Sequence, residues 1–377
     1  MLLSEDIAFA LERTVTVMVI TCPHALGLAI PLVVAVSTSI GARQGLMVRN
    51  RAAFELARKL EVVVFDKTGT LTKGEFGITA IINLAQDVSE AELLNLAASV
   101  EQDSEHPIAK ALSQTVSKQA KLSHFKVSEF KAIPGKGAQA LVDGRLVQVV
   151  SPGYLSEQSI DYDCQAVDQA FASGKTVVFV LVENVLKGAI VLSDLIKEEA
   201  SASIQALQQK GIKCMMLTGD NRQVAAAVAE QIGLDDYFAE VLPEQKAQTI
   251  QQLQQKGYVV AMVGDGVNDA PALAQADVGI AIGAGTEVAI ESADIVLVNN
   301  TPRDVVAVIN LARATYEKML QNLWWAAGYN ILAMPLAAGV LIGVGIVLSP
   351  AVGAVMMSLS TIVVAINAQL LKYQKVS

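Results

Sequence analysis

Hydrophobic and polar positions fall into three textures along the chain. Two long stretches lack acidic and basic residues except for one histidine: Thr14 to Ala42, which contains His24, and Met319 to Leu371. Each exceeds the ~20 apolar residues that a helix needs to cross a bilayer. The second has room for two crossings joined near Gly343 to Pro350. The pattern therefore predicts transmembrane α-helices over 13–42, 319–342 and 350–371. Between them, short apolar runs alternate with amphipathic stretches. Val62-Val63-Val64-Phe65, Lys213-Cys214-Met215-Met216-Leu217 and Val259-Val260-Ala261-Met262-Val263 read as buried parallel strands with helices between them. From about Gly74 to Ala189 the texture changes. Phe125 to Val150 and Thr176 to Ile190 read as alternating strands, with turns at Pro134-Gly135, Asp143-Gly144 and Glu183-Asn184. The expected fold is an α/β domain in two pieces, 43–73 and 190–312, interrupted by an inserted α+β domain over 74–189.

The flanking charges orient this arrangement. Arg43, Arg49, Arg51, Arg58 and Lys59 follow the first span; Arg303, Arg313 and Lys318 precede the second; Lys372 and Lys375 follow the third. By the positive-inside rule the middle block and the 372–377 tail are cytoplasmic, and residues 1–12 lie on the far face. Composition agrees: 53% hydrophobic residues and a mean hydropathy of +0.44 exceed what a soluble enzyme uses. The net charge of −9, with no basic stripe interleaved with aromatics, argues against a nucleic-acid partner. Cys22, Cys164 and Cys214 are too scattered for a disulfide framework, and Glu5, Asp6 and Glu12 stand where a signal peptide is basic.

The chemistry concentrates after the strands. Asp66-Lys67-Thr68-Gly69-Thr70-Leu71-Thr72 follows the first of them, and ligands of open α/β sheets bind at carboxyl strand ends. A carboxylate there can attack a phosphoryl group, with hydroxyls and backbone N–H groups beside it for the phosphate oxygens. Thr218-Gly219-Asp220 ends a second strand, and Gly264-Asp265-Gly266-Val267-Asn268-Asp269 a third. Carboxylates crowded beside a phosphate call for Mg2+, a hard ion that prefers oxygen. Lys246 can reach in as a point charge on the transferring group.

In this order the four segments resemble the haloacid-dehalogenase-type phosphorylation domain of P-type ATPases, over essentially the whole chain. The resemblance implies phosphorylation of Asp66 by ATP, with Lys67, Thr68, Thr218, Gly219, Asp220, Lys246, Asn268 and Asp269 in the catalytic set. It assigns Mg2+ to Asp66, the Thr68 carbonyl and Asp265, and makes the insert the nucleotide-binding domain. Ser104-Glu105-His106-Pro107 matches the SEHP string of heavy-metal-transporting members, whose histidine meets adenine. Glu101 lies where they carry an adenine-contacting acid, and Gly135-Lys136-Gly137 matches their glycine pair. Where they continue with Gly-Asn, this chain has Ser151-Pro152-Gly153-Tyr154.

Within the first span, Cys22-Pro23-His24 couples a helix-breaking proline to two metal-binding side chains. The string resembles the Cys-Pro-His form found in copper or silver exporters of the CopB type. Tyr329-Asn330, preceded by Asn322, and Met357-Ser358-Leu359-Ser360-Thr361 match that subgroup too. The implied cargo ligands are Cys22, His24, Tyr329, Asn330, Met357 and Ser358. Thiolate and thioether favour Cu+ or Ag+, while imidazole and oxygen donors tolerate Cu2+. Zinc fits less well, because the spans hold no carboxylate.

Complete pumps of this kind also carry earlier membrane helices and an actuator domain with a TGE loop; no TGE occurs in this sequence. The expectation is the C-terminal half of a multi-pass pump of the cell membrane (the bacterial inner membrane), with its phosphorylation and nucleotide-binding domains in the cytoplasm. Its expected partners are the lipid bilayer, ATP, a copper or silver ion, and the remaining half or a copper chaperone. Two other readings stand beside it: a membrane-anchored phosphatase, and a copper-binding regulatory half-pump.

Overall fold

Strand Val62–Asp66 is buried at all five positions, and its alternation sorts the surrounding core into two layers. Val63 and Phe65 face one side, where they pack with Ile204 and Leu207 of helix Ala200–Gln208 and with Val305, Val308 and Ile309. Val62 and Val64 face the other, against Ile250 and Leu253 of helix Pro243–Gln255 and Ala272 and Leu273 of helix Ala270–Gln275. A strand covered on both faces reads as an unbroken apolar run, which is why the sequence shows no alternation there. The computed structural model describes residues 7–104, 107–118, 125–283 and 287–374.

The seven-stranded sheet runs in the order Leu46–Val48, Ile295–Leu297, Val278–Ile282, Val260–Gly264, Val62–Asp66, Lys213–Leu217, Asp236–Phe238. All neighbours are parallel except the antiparallel pair of Leu46–Val48 with Ile295–Leu297. The register pairs Phe65 with Val263 and Asp66 with Leu217, so the three motif-bearing strands end at one edge. The insert is a six-stranded antiparallel sheet with helices Glu90–Val100 and Pro107–Lys118 on one face and Pro152–Glu157 and Gln165–Ala172 on the other. Its chain crossings are the paired strands Thr72–Asn83 and Val185–Ile196, so the insert closes at Ile196 and not at the expected 189, because the return strand stays paired to the outgoing one as far as Thr72.

The apolar ends differ from expectation in two places. The single helix expected over 13–42 is two helices, Ile7–Thr21 and His24–Arg43, broken at Cys22-Pro23. Pro23 has no N–H to continue the ladder, and its carbonyl accepts the N–H of Gly27 at 2.9 Å as the next helix starts. The helix expected over 319–342 is the far part of a longer one, Arg303–Ala337, which ends five residues early. Its first turns pack on the sheet through Val305, Val308 and Leu311, and later turns bury Ala326, Ala333 and Ala337 against the other apolar helices. Helix Pro350–Gln369 follows the expected bounds closely. Among the described residues, Ile7–Arg43 and Pro350–Tyr373 are long and apolar enough to cross a membrane by length and composition. The end of Arg303–Ala337 is diluted by Gln321, Asn322 and Asn330.

Ile204 is fully buried between its helix and the central strands. Ile204→Ala is expected to cost about 2–5 kcal/mol, as for other large-to-small core changes. Val185→Ala, at a side chain 55% exposed, is expected to stay within about 0.5 kcal/mol. Chemical denaturation of the intact chain in detergent checks both.

Candidate functional site

Asp66 sits at the last position of the central strand, only 6% exposed. Helix Pro243–Gln255 begins at a proline whose fixed φ suits the first helical position. One turn in, it delivers Lys246, also buried. The Lys246 Nζ donates to Asp66 Oδ1 and to Asp269 Oδ1, each at 2.6 Å. Asp66, Asp265 and Asp269 each offer a carboxylate oxygen within 4.8 Å of the others. The loop after Asp66 passes so close that a Cβ on Gly69 would lie 1.8 Å from Asp265 Oδ2, and Gly69 has φ +75°. Only glycine fits both demands.

Three carboxylates around one ammonium leave the site short of positive charge. Burial first, then repulsion from Asp269, pushes Asp66 up to about 7 in spite of Lys246. Burial and Asp269 raise Asp265 as well. Lys246 moves upward too: burial pulls it down, but the attraction of Asp66 and Asp269 prevails. An all-oxygen donor set under this repulsion fits a hard divalent cation such as Mg2+.

The remaining predicted residues surround this centre. Thr218 is buried, and its Oγ1 accepts the Asp220 N–H at 3.1 Å. Lys67 Nζ pairs with Asp220 Oδ2 at 2.5 Å. Thr68, Gly219 and Asn268 are exposed at the same edge. The hydroxyl of Thr70 is buried without a hydrogen-bond partner. Sequence reasoning missed Asp194 and Lys197, at the end of strand Val185–Ile196. Asp194 Oδ2 accepts from Thr72 Oγ1 at 2.5 Å, and Lys197 Nζ donates to the Gly69 carbonyl at 2.6 Å. No local string marks them; the only signal is two charged residues where the insert's last strand rejoins the first domain.

Two cavities bear on the site, and only the first touches this edge. One of about 360 Å³ lies between the domains, lined by Lys67, Thr68, Lys175, Asp194 and Asp220. The other, about 380 Å³ and inside the insert, is lined by Glu101, Ser104, Gly135, Gly137 and Ser151, with Phe130 and Val178 as apolar wall. Glu101 is 6% exposed and its Oε2 has no hydrogen-bond partner, a buried acceptor facing a ligand-sized space. Glu105 and His106 lie outside the described residues, and Pro107 opens helix Pro107–Lys118. At the place where the resembling family carries Gly-Asn, Ser151 lines the cavity and Pro152 starts a helix.

In the apolar bundle the predicted cargo residues separate into two groups. Cys22 and His24 flank the helix break, both exposed. Tyr329 packs beside both sides of that break, in the clusters of Ala25 and of Ile20. The Tyr329 hydroxyl, Asn330 Oδ1 and Ser360 Oγ are buried without hydrogen-bond partners. Met357 is half-buried. Ser358, by contrast, is exposed and donates to the Ala354 carbonyl at 3.0 Å. The free hydroxyl of that string is therefore on Ser360. Asn322 is a tie rather than an open donor: its Nδ2 donates to Ala29 O at 3.0 Å and its Oδ1 accepts from Asn367 Nδ2 at 2.8 Å.

A sequence profile of haloacid dehalogenase-like hydrolases matches residues 60–277. The chain is 62% identical over 367 residues to the copper-exporting P-type ATPase B of Archaeoglobus fulgidus, covering 97% of this chain and 52% of that protein. It is 48% identical over 363 residues to the copper-exporting P-type ATPase B of Enterococcus hirae, covering 96% and 49%. The chain thus spans about half the length of the curated relatives it matches. Among solved structures, a zinc-transporting PIB-type ATPase in the E2.Pi state superposes with a TM-score of 0.81 at 36% identity, covering 93% of this chain and 56% of that one. The catalytic domain of the CPx-ATPase CopB-B superposes with a TM-score of 0.55 at 28% identity, covering 72% of this chain and 98% of that one. The strand-end aspartate, its lysine and the inserted domain are accounted for together: the chain belongs to the haloacid dehalogenase-like hydrolase family, in the form that resembles the P-type ATPases.

Proposed function

We propose that the chain is the phosphorylated, nucleotide-binding and cation-handling portion of an ATP-driven copper or silver exporter. The observation that carries this reading is the buried Asp66 at the strand end, bridged by Lys246 to Asp269, with its neighbours Lys67 and Thr68 lining the cavity between the two domains. An Asp66 carboxylate oxygen attacks the γ-phosphorus of ATP. The new O–P bond forms as the bond to the β,γ-bridging oxygen breaks, and ADP leaves with that electron pair. Lys246 offsets the charge on the transferring group, the Thr218 hydroxyl and the Gly219 N–H hold its oxygens, and Asp220 orients Thr218 and Lys67. Lys67, paired with Asp220, keeps a second ammonium at the mouth of the site. Asp66, Asp265 and the Thr68 carbonyl would hold Mg2+, which supplies the missing positive charge there, with Asn268 and Asp269 beside it. Glu101, Ser104, Glu105, His106, Pro107, Gly135 and Gly137 bind the adenosine end.

For the cargo, Cys22, His24, Tyr329, Asn330 and Met357 offer a mixed soft and polar set, with the hydroxyl coming from Ser360 in preference to Ser358. Thiolate and thioether suit Cu+ or Ag+, and the relatives are named as copper exporters. In this reading the apolar helices form a multi-pass membrane unit with the two globular domains in the cytoplasm. The remaining part of the pump, and a copper chaperone, are the expected partners.

Incubation with γ-phosphate-labelled ATP, Mg2+ and Cu+ or Ag+ should leave an acid-stable, hydroxylamine-sensitive label on the chain. Asp66→Asn should abolish the label, and Lys246→Met should slow it by about 10²–10³-fold, the scale for losing one preorganised charge donor. Equal labelling of Asp66→Asn would overturn the reading. Rapid turnover of small phosphomonoesters with no ATP-derived label would point to a phosphatase instead.

The pH profile carries a second outcome. Asp66 is raised to about 7, so its nucleophilic, ionised form is lost as pH falls through that value. At limiting Mg2+ the labelling rate should fall about tenfold per pH unit below about 7, as for any required base. Saturating Mg2+ stabilises the ionised form and should move that fall to lower pH. A profile insensitive to Mg2+ would count against the shared carboxylate site.

A further inference from the structure

Strand Val185–Ile196 brings the chain back from the insert, and the residues at its end grip the phosphorylation loop at three points. Asp194 Oδ2 accepts from Thr72 Oγ1 at 2.5 Å. The Lys197 backbone N–H donates to the Leu71 carbonyl at 3.0 Å. Lys197 Nζ donates to the Gly69 carbonyl at 2.6 Å. The same ammonium donates to Asn300 Oδ1, also at 2.6 Å, three residues before helix Arg303–Ala337 begins. Next to it, Asn299 Nδ2 donates to the carbonyl of Gln44, at the end of helix His24–Arg43. Lys197, only 5% exposed, therefore stands between the loop that follows Asp66 and the junction where two helices of the apolar bundle reach the sheet.

We propose that Lys197 is a positioning residue for phosphoryl transfer, one that fixes the Gly69 peptide and, through Asn300, ties the phosphorylation loop to the start of the long helix. This inference rests on the reading that Asp66 takes a phosphoryl group from ATP. The peptide group is planar, so holding the Gly69 carbonyl also fixes the direction of the Thr70 N–H that follows. Gly69 lies against Asp265, so a loop that drifts by even half an ångström collides with one of the clustered carboxylates or withdraws from it. Two carbonyl-type oxygens alone repay little of the cost of burying an ammonium. Burial accordingly lowers Lys197 to about 8, with the charge of Asp265 the largest effect in the opposite direction. A lysine kept there at that cost, on two segments far apart in sequence, is a link and not a filler. Its flexible stem and three donors let one group serve both oxygens.

Lys197 lines neither the interdomain cavity nor the cavity of the insert. Lys197→Met in the full chain should therefore slow phosphoenzyme formation by about 10²-fold, the scale for a misplaced reacting group, with the KM for ATP unchanged. Lys197→Arg, which restores a charged donor, should recover the rate to within about tenfold. Asn300→Ala, at an exposed position, keeps the Gly69 contact and should slow the rate by a smaller factor. Hydrogen exchange gives a readout that needs no ATP. Lys197→Met should raise exchange in both 67–72 and 298–304, and Asn300→Ala mainly in 298–304. Wild-type labelling with equally fast labelling of Lys197→Met would overturn the inference. If the wild-type chain takes no label, the phosphorylation reading fails and exchange decides alone. Increased exchange in both segments then supports the tie, and unchanged exchange overturns it.

Discussion

Repulsion among Asp66, Asp265 and Asp269 is the constraint to which the rest of the site answers. One carboxylate oxygen of each lies within 4.8 Å of the others in a largely buried place, with one bridging lysine among them. Such a cluster holds only where the surrounding backbone is fixed. The five-residue strand under Asp66 is buried throughout, and neighbouring strands place Thr218 and Asp265 one residue beyond their own ends. The glycine at 69 then lets the loop pass against Asp265 at a distance no side chain allows. Crowded like charges stabilise nothing by themselves; they poise the site for an incoming cation and phosphate.

The same rigidity carries outward. Helix Arg303–Ala337 is at once a layer of the sheet's core and a member of the apolar bundle, with Val308 in one and Ala333 in the other. Asn322 of that helix is tied to the carbonyl of Ala29, five residues past His24, and Asn367 ties the last helix to Asn322. A displacement at the sheet therefore has a continuous helical body through which to reach the Cys22-Pro23 break. Packing and hydrogen bonds of this kind supply a contiguous physical path between the two.

Much of this was legible in the sequence, and the parts that were not share a cause. Asp66, Thr218 and Asp265 could be read because each closes or follows a short apolar run, which fixes its place at a strand end, whereas Lys246 was legible through the resemblance. The insert could be read from its turn signals and change of texture, but the alternation expected over Thr176 to Ile190 is absent from strand Thr176–Val182, which is covered on both faces and reads as an unbroken apolar run. The helix break at Cys22-Pro23 was hidden by uniform apolarity, since length alone counts 13–42 as one span. Helix Arg303–Ala337 was cut too short for the opposite reason: its charged first turns look separate from its apolar end. Ser358 and Ser360 are equivalent as residue types and differ only in where the helix turns them. Asp194 and Lys197 became visible only through tertiary contacts with residues more than a hundred positions away.

The central claim is that Asp66, with the clustered carboxylates and Lys246, forms one phosphoryl-accepting site. Fluorine NMR of the chain with Mg2+ and beryllium fluoride tests it without requiring turnover, because beryllium fluoride caps a carboxylate oxygen in the shape of a phosphoryl group. The account predicts protein-bound fluoride resonances that require Mg2+ and vanish in Asp66→Asn. Bound resonances that persist in Asp66→Asn, or form equally without Mg2+, would contradict it.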